Sequence, residues 1–385
     1  MPTIDVNGID IAYESLGPDD RETILLIMGL GAQLTQWPDE LCNELVTRGY
    51  RVIRFDNRDS GLSTKFERGQ FPHLPAAFAS FMTGKSPFVP YTLYDMADDA
   101  VGLLDALGIE KAHIVGASMG GMIAQLIASE YPERTLSLTS IMSTTGNPML
   151  PPPRPRVLSL FLTPAPPASN MEAVIQRGIK TYQTIGSPDY PTDEETLRAW
   201  VTRDAERSYC PSGVVRQMAA AMTNGDRRQK LRRIEVPTMV LHGAADPLVP
   251  VEAARDTAAS IEGAELRIIE GMGHDIPLQL VGTFADAIVC VAERATGPRL
   301  PKLLPAPDRP VAKELPSPML LQPLIQAGES AVDTLMAVAR DLVPLQHRES
   351  LPVVVAAPAV PPRAGFFARL GARIRSWFAR RRGSQ

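Results

Sequence analysis

The chain has 385 residues, 44% hydrophobic and 21% charged, with a formal net charge of −4. This is the composition of an ordinary globular protein, longer than one average domain. The mild acidity points to neither a nucleic-acid partner nor an acidic substrate, and no purely apolar stretch reaches the roughly 18 residues needed to span a bilayer.

Three cysteines, Cys42, Cys210 and Cys290, are odd in number and widely spaced. They suggest free thiols rather than a disulfide framework or a zinc knuckle. The first residues, MPTIDVNGIDIAYES, lack a basic segment followed by an apolar one, so no secretory signal is expected and a cytoplasmic location is.

In chain order, Ile4–Val6 and Ile9–Tyr13 flank Asn7-Gly8, the signature of a two-residue hairpin. Thr23–Met28 is a continuous apolar run, as in a strand buried on both faces. Trp37–Arg48 has helical apolar spacing and stops at Gly49, and Tyr50–Phe55 reads as the next strand. The alternation continues with a helix at Asp95–Leu107, a strand at Ala112–Val115, a helix at Gly121–Ser129 and a strand at Leu136–Ile141. Strands at Thr238–His242 and Leu266–Ile269 and a closing helix at Phe284–Arg294 complete it. Such alternation predicts an α/β class with a doubly wound, mostly parallel sheet.

Two insertions interrupt the pattern. Lys65–Pro90 is polar and proline-containing. Residues 143–230 open on a proline cluster and continue with helical segments, so the core is expected over 1–142 and 231–296 with 143–230 as a helical cap. From Gly297 to Pro362 prolines crowd the chain, which reads as a flexible linker with one apolar helical stretch near Leu324–Val343. Residues 363–385 form a basic tail. Seven arginines and no acid lie between Arg363 and Arg382, and without them the formal charge falls from −4 to −11. At 100° per residue, Phe366, Phe367, Leu370, Ile374, Trp377 and Phe378 share an arc of ~120°. That pattern favours a membrane-surface or partner-binding helix over a plain basic tail.

The strongest local signal is Gly116-Ala117-Ser118-Met119-Gly120, between a strand and a helix. This is the strand–turn–helix setting in which a serine is lifted above a sheet, with glycines removing the Cβ atoms that would collide. A serine needs a base to become a useful nucleophile. In the chain order Ser, acid, His, His274 in the glycine-flanked loop after LRII is the candidate base, since His347 falls in the proline-rich segment. Asp246, in the turn after TMVLH, is the candidate orienting acid. The turn after the preceding strand, Ser143 to Asn147, has no carboxylate, while Asp275 adjoins the histidine and is expected to point elsewhere. His242 is expected to be a strand-end structural residue. Oxyanion donors are expected from the backbone N–H groups of Met119 and of Leu30, within Gly29-Leu30-Gly31.

Other chemistries fit less well. A dinucleotide fingerprint beginning at Gly29 would need a third glycine where Leu34 stands, and His113, His242 and His274 have no metal-ligand spacing. No cofactor and no metal is therefore expected.

GASMGG, HGAADPLVP, GMGHDIP and the stretch Arg54 to Ser63, RFDNRDSGLS, together resemble the α/β-hydrolase superfamily. MGLGAQLTQWP followed by FDNRDSGLS is similar to bacterial esterases of the aclacinomycin methylesterase type. The resemblance spans about residues 1–296 and implies a serine hydrolase acting on a small-molecule carboxylic ester. Many members carry histidine where this chain has Met28, which bears on the hydrogen bonding of that loop's side chains. Haloalkane dehalogenases and epoxide hydrolases carry aspartate at the nucleophile, where this chain has Ser118. The same triad also serves C–C bond hydrolysis, lactone opening, peracid formation and acyl transfer, and a non-catalytic receptor could retain the fold. Phe78, Phe81, Met82 and Phe88, with Leu158, Leu160 and Phe161, are expected either to wall an apolar pocket or to pack the cap on the core.

Overall fold

The structure, a computed structural model, describes residues 1–66 and 89–296, without the side chains of Phe161 and Leu162. The expectations for Phe78, Phe81, Met82, Phe88 and Phe161, for the 297–362 linker and for the basic tail lie outside what is described.

Eight strands form one sheet: β1 (Thr3–Val6), β2 (Ile9–Leu16), β3 (Thr23–Ile27), β4 (Arg51–Phe55), β5 (Ala112–Ala117), β6 (Thr135–Ile141), β7 (Thr238–Gly243) and β8 (Glu265–Ile269), in the order β1-β2-β4-β3-β5-β6-β7-β8. The first two pairings, β1 with β2 and β2 with β4, are antiparallel, and every later one is parallel. Asn7 and Gly8 take φ values of 54° and 79°, the left-handed pair that a tight hairpin requires. β2 runs to Leu16, past the Tyr13 expected from sequence, because its first half pairs with β1 and its second half with β4.

The inner parallel strands, β3 to β7, are buried on both faces, with side chains alternating at the period of two, while the edge strand β8 is buried only at Ile269. Leu25 and Ile27 of β3 enter one core with Ile53, Phe55 and Ile114, while Ile24 and Leu26 enter the other with Val52 and Val115. Helices α2 (Leu93–Ala106) and α3 (Met119–Glu130) cover the first face, and α1 (Asp39–Thr47) and α10 (Val281–Thr296) the second.

Several boundaries depart from the sequence reading for local reasons. The expected helix from Trp37 starts at Asp39, because Pro38 forces the preceding Trp37 into extended backbone (ψ 115°). Trp37 is instead a fully buried core residue. α2 starts two residues before the expected Asp95, where Thr92 and Asp95 form a capping box: Thr92 Oγ1 accepts from the Asp95 amide and the Asp95 carboxylate accepts from the Thr92 amide.

Between β6 and β7 run α4 (Pro155–Leu162), α5 (Met171–Ile185), α6 (Glu194–Arg207), α7 (Pro211–Asn224) and the single turn α8 (Arg228–Leu231); α9 (Glu252–Ser260) follows β7. Buried charge fastens this stretch to the loop after β4. Arg216 of α7 makes two hydrogen bonds to Asp59, at 2.8 and 2.7 Å, and both side chains are fully buried. Arg207 of α6 reaches Asp56 at 2.7 Å. Truncating one partner of such a buried pair typically costs ~3–5 kcal/mol, because the remaining charge is stranded away from water. Among the described residues, no helix is long and apolar enough to cross a membrane.

Candidate active site

Strand order reverses around β3, which has β4 on one side and β5 on the other. Ligands of open α/β sheets bind outside the carboxyl ends of the strands at such a switch point. The loop after β3 and the turn after β5 therefore face one crevice.

Ser118 occupies that turn with φ 56° and ψ −120°. For a residue with a Cβ this is a strained conformation, and strain of this kind persists only where the surroundings enforce it. Here they do. A Cβ on Gly116 would lie 2.0 Å from the carbonyl oxygen of Gly120, and one on Gly120 would lie 2.0 Å from that of Ile27. The Ser118 amide donates to Ile141 at 2.9 Å, and Ser143 Oγ donates to the Ser118 carbonyl at 2.8 Å. β5 continues to Ala117 and α3 begins at Met119, so the strand–turn–helix junction is shorter than the sequence suggests. As the first residue of α3, Met119 has an amide without an intrahelical acceptor.

His274 lies in the loop after β8, and its Nε2 is 2.9 Å from Ser118 Oγ. Its Nδ1 is 2.6 Å from Asp246 Oδ2, in the loop after β7. A carboxylate can only accept, so Nδ1 carries the proton and Nε2 presents its lone pair to the Ser118 hydroxyl, which donates to it. Asp246 Oδ1 is satisfied separately by the amides of Leu248 and Val249, both at 2.8 Å. All three side chains come from strand ends, and Asp246 and His274 are both buried. The two loops are close-packed: a Cβ on Gly243 would lie 2.2 Å from the carbonyl oxygen of Met272, and the Ala245 amide donates to that oxygen at 2.9 Å.

His242 is buried beside the acid. Its Nε2 is 2.8 Å from the Val249 carbonyl and 3.4 Å from Asp246 Oδ2. Burial lowers its pKa, with the Asp246 charge acting in the opposite direction. Asp275 points away from Ser118 toward Ser187, and burial raises its carboxyl. Ser187 follows α5 and was not singled out from the sequence. Its hydroxyl accepts from the Gly273 amide at 2.8 Å, while the His274 amide donates to Ile185 at 2.7 Å. The 185–187 segment thus holds the histidine loop.

On the other side, Gly29 backs onto the serine: a Cβ there would sit 3.0 Å from Ser118 Cβ. The Met28 carbonyl accepts from Asn57 Nδ2 at 2.9 Å, so the Met28 side chain is not needed to tie the loop down. Gln217, Arg207 and Arg216 are further residues that sequence reasoning passed over. Their signal was faint: polar side chains at inward positions of helices that otherwise read as amphipathic.

No cluster of three or more His, Cys, Asp or Glu among the described residues is placed to hold a metal ion. The cysteines are free, and burial raises the Cys42 thiol to about 11. A hydroxyl, an imidazole and a carboxylate in hydrogen-bonding series at a strained turn can perform acyl transfer.

The model of the alpha/beta hydrolase fold family matches residues 22–279, and the chain belongs to that family. Within it the chain resembles esterases of the aclacinomycin methylesterase type. It is 29% identical over 315 residues to the rhodomycin D methylesterases DauP of Streptomyces sp. (strain C5) and DnrP of Streptomyces peucetius, covering 77% of this chain and all of each relative. Among solved structures, the meta-cleavage product hydrolase CumD of Pseudomonas fluorescens IP01 superposes with a TM-score of 0.61 at 19% identity, over 77% of this chain and 98% of that one, a likeness of fold.

Proposed function

We propose that the protein is a serine hydrolase that cleaves carboxylic esters of small molecules through an acyl-enzyme. The observation that carries this reading is the single imidazole bridging Ser118 Oγ at 2.9 Å and Asp246 at 2.6 Å. Ser118 attacks the ester carbonyl as His274 Nε2 takes its proton, while Asp246 steadies the resulting imidazolium. The tetrahedral oxyanion is met by the amides of Met119 and Leu30. His274 returns the proton to the departing alcohol, then activates a water that attacks the acyl-enzyme, releasing the acid and restoring Ser118. The stretch 143–230 serves as the cap over this crevice. The methylesterase relatives make methyl esters the first substrates to try.

The test is hydrolysis of p-nitrophenyl and methyl esters of increasing acyl length by wild type and Ser118→Ala in parallel. Wild type turns over at least one series, and Ser118→Ala loses about 10³-fold or more. Equal rates for the two proteins would refute the assignment.

The arc of aromatic and aliphatic residues among the arginines of residues 363–382 further supports peripheral attachment to anionic membrane surfaces. In sedimentation with anionic liposomes, the full chain pellets and a chain ending at Arg294 stays in solution. Equal recovery of both in the supernatant would remove this idea.

A further inference from the structure

We propose that Gln217, on α7, is a positioning residue that sets the oxyanion amide of Leu30 by holding the neighbouring amide of Gly31; the inference rests on the esterase reading above. The loop Gly29-Leu30-Gly31 passes directly against the nucleophile, with a Cβ on Gly29 lying only 3.5 Å from Ser118 Oγ. Of its two later amides, that of Gly31 is taken: it donates to Gln217 Oε1 at 2.7 Å. Among the described residues no backbone carbonyl accepts from the Leu30 amide, which leaves it for substrate. Because a peptide unit is planar, fixing the Gly31 N–H also fixes the Leu30 carbonyl; the Leu30 N–H, one peptide unit back, is then restrained between this fixed plane and the Gly29 backbone packed against Ser118, with only the Leu30 φ and ψ between.

Gln217 is suited to this because it cannot turn. It is fully buried, and its Nε2 donates to the Arg58 carbonyl at 2.7 Å. Exchanging its oxygen and nitrogen would set donor against donor at Gly31 and acceptor against acceptor at Arg58. The neighbouring Arg216 is locked onto Asp59, so the helix carrying the amide is itself fixed. Gly31 has φ +68°, and a Cβ there would lie 2.7 Å from Val214 Cγ2, so α7 packs against the loop as well as hydrogen-bonding to it. A helix outside the sheet thereby governs a donor that belongs to the sheet's own loop. An apolar side chain of similar volume would fill the space but leave the Gly31 amide free to seek another partner.

The experiment uses the full chain as wild type, Gln217→Met and Gln217→Glu, with a p-nitrophenyl ester as substrate and a trifluoromethyl ketone as a mimic of the tetrahedral adduct. Direct oxyanion donors are worth about 10²–10³-fold and small misplacements about 10²-fold, so Gln217→Met should lower kcat about 10- to 100-fold. KM and the affinity for the product acid stay near wild type, whereas the ketone's affinity falls along with kcat. In this fully buried site a carboxyl is held as the neutral acid, so Gln217→Glu keeps both an acceptor for Gly31 and a donor for the Arg58 carbonyl and stays closer to wild type. Should Gln217→Met fail to fold, Gln217→Asn, one methylene too short to reach Gly31, takes its place. Unchanged kcat and ketone affinity overturn the inference alone. So does a parallel loss of product affinity and thermal midpoint in both variants, which marks a merely structural role. A wild type without ester turnover overturns the esterase reading and this inference together.

Discussion

The hydroxyl of Ser187 accepts from the Gly273 amide at 2.8 Å and donates to the Asp275 carboxylate at 2.5 Å. Those two bonds flank His274, whose own amide is held by Ile185. The imidazole is therefore aimed by backbone on both sides of it, as well as by Asp246. Ser187→Ala removes both bonds, leaving the buried Gly273 amide without that acceptor and Asp275, already raised by burial, with only the Ser187 backbone amide as donor. Leaving a buried donor unmet costs ~1–3 kcal/mol, and a base displaced by a fraction of an ångström transfers protons poorly. The expected outcome is a fall in kcat of about tenfold on a p-nitrophenyl ester, with Ser187→Thr, which keeps the hydroxyl, retaining most of the activity. Steady-state kinetics checks it, and full activity in Ser187→Ala would show that the histidine loop needs no such support.

At the scale of elements, legibility followed how local the determining interaction was. The inner strands of the sheet were readable because burial on both faces leaves apolar runs such as TILLI and TMVLH. The turn at Ser118 was readable because its glycines answer a steric demand between adjacent elements. Ser118, His274 and Asp246, which the fold brings into hydrogen-bonding series, could be picked out because they stand in the loops after β5, β8 and β7, where chain position implies spatial position. Gln217, Ser187 and Arg216 could not. Their partners lie 186, 86 and 157 residues away, and nothing in a single sequence records those distances. α9, whose segment EAARDTAAS has little large apolar surface, also escaped notice. The stretch Asp56 to Gly61 was recognisable as a pattern without its purpose being visible. In the folded chain it is the anchor for α6 and α7, through Asp56 with Arg207 and Asp59 with Arg216.

For the whole molecule, two buried histidines other than His274 link stability to pH. His113 and His242 are both buried, and burial lowers each from the ordinary 6.5. The unfolded chain therefore takes up protons near 6.5 that the folded chain refuses until lower pH. Protonation favours the unfolded state, so stability is fully present above 6.5 and declines as pH falls from there toward the folded values. Each group can contribute up to ~1.4 kcal/mol per pH unit across its window. Urea unfolding at about pH 7.5 and about pH 5.5 should give a smaller unfolding free energy at the lower pH. A flat or rising value would contradict this expectation and show that His113 and His242 do not set the pH dependence in this window.

The proposed function makes Ser118, bridged through His274 to Asp246, the reactive serine of the chain, and a fluorophosphonate probe reads that reactivity directly. Intact-mass and peptide mass spectrometry of the labelled chain should find a single adduct on the peptide containing Ser118, reduced strongly in His274→Ala and absent in Ser118→Ala. An unlabelled wild type, or an adduct on another residue that survives Ser118→Ala, would contradict the account.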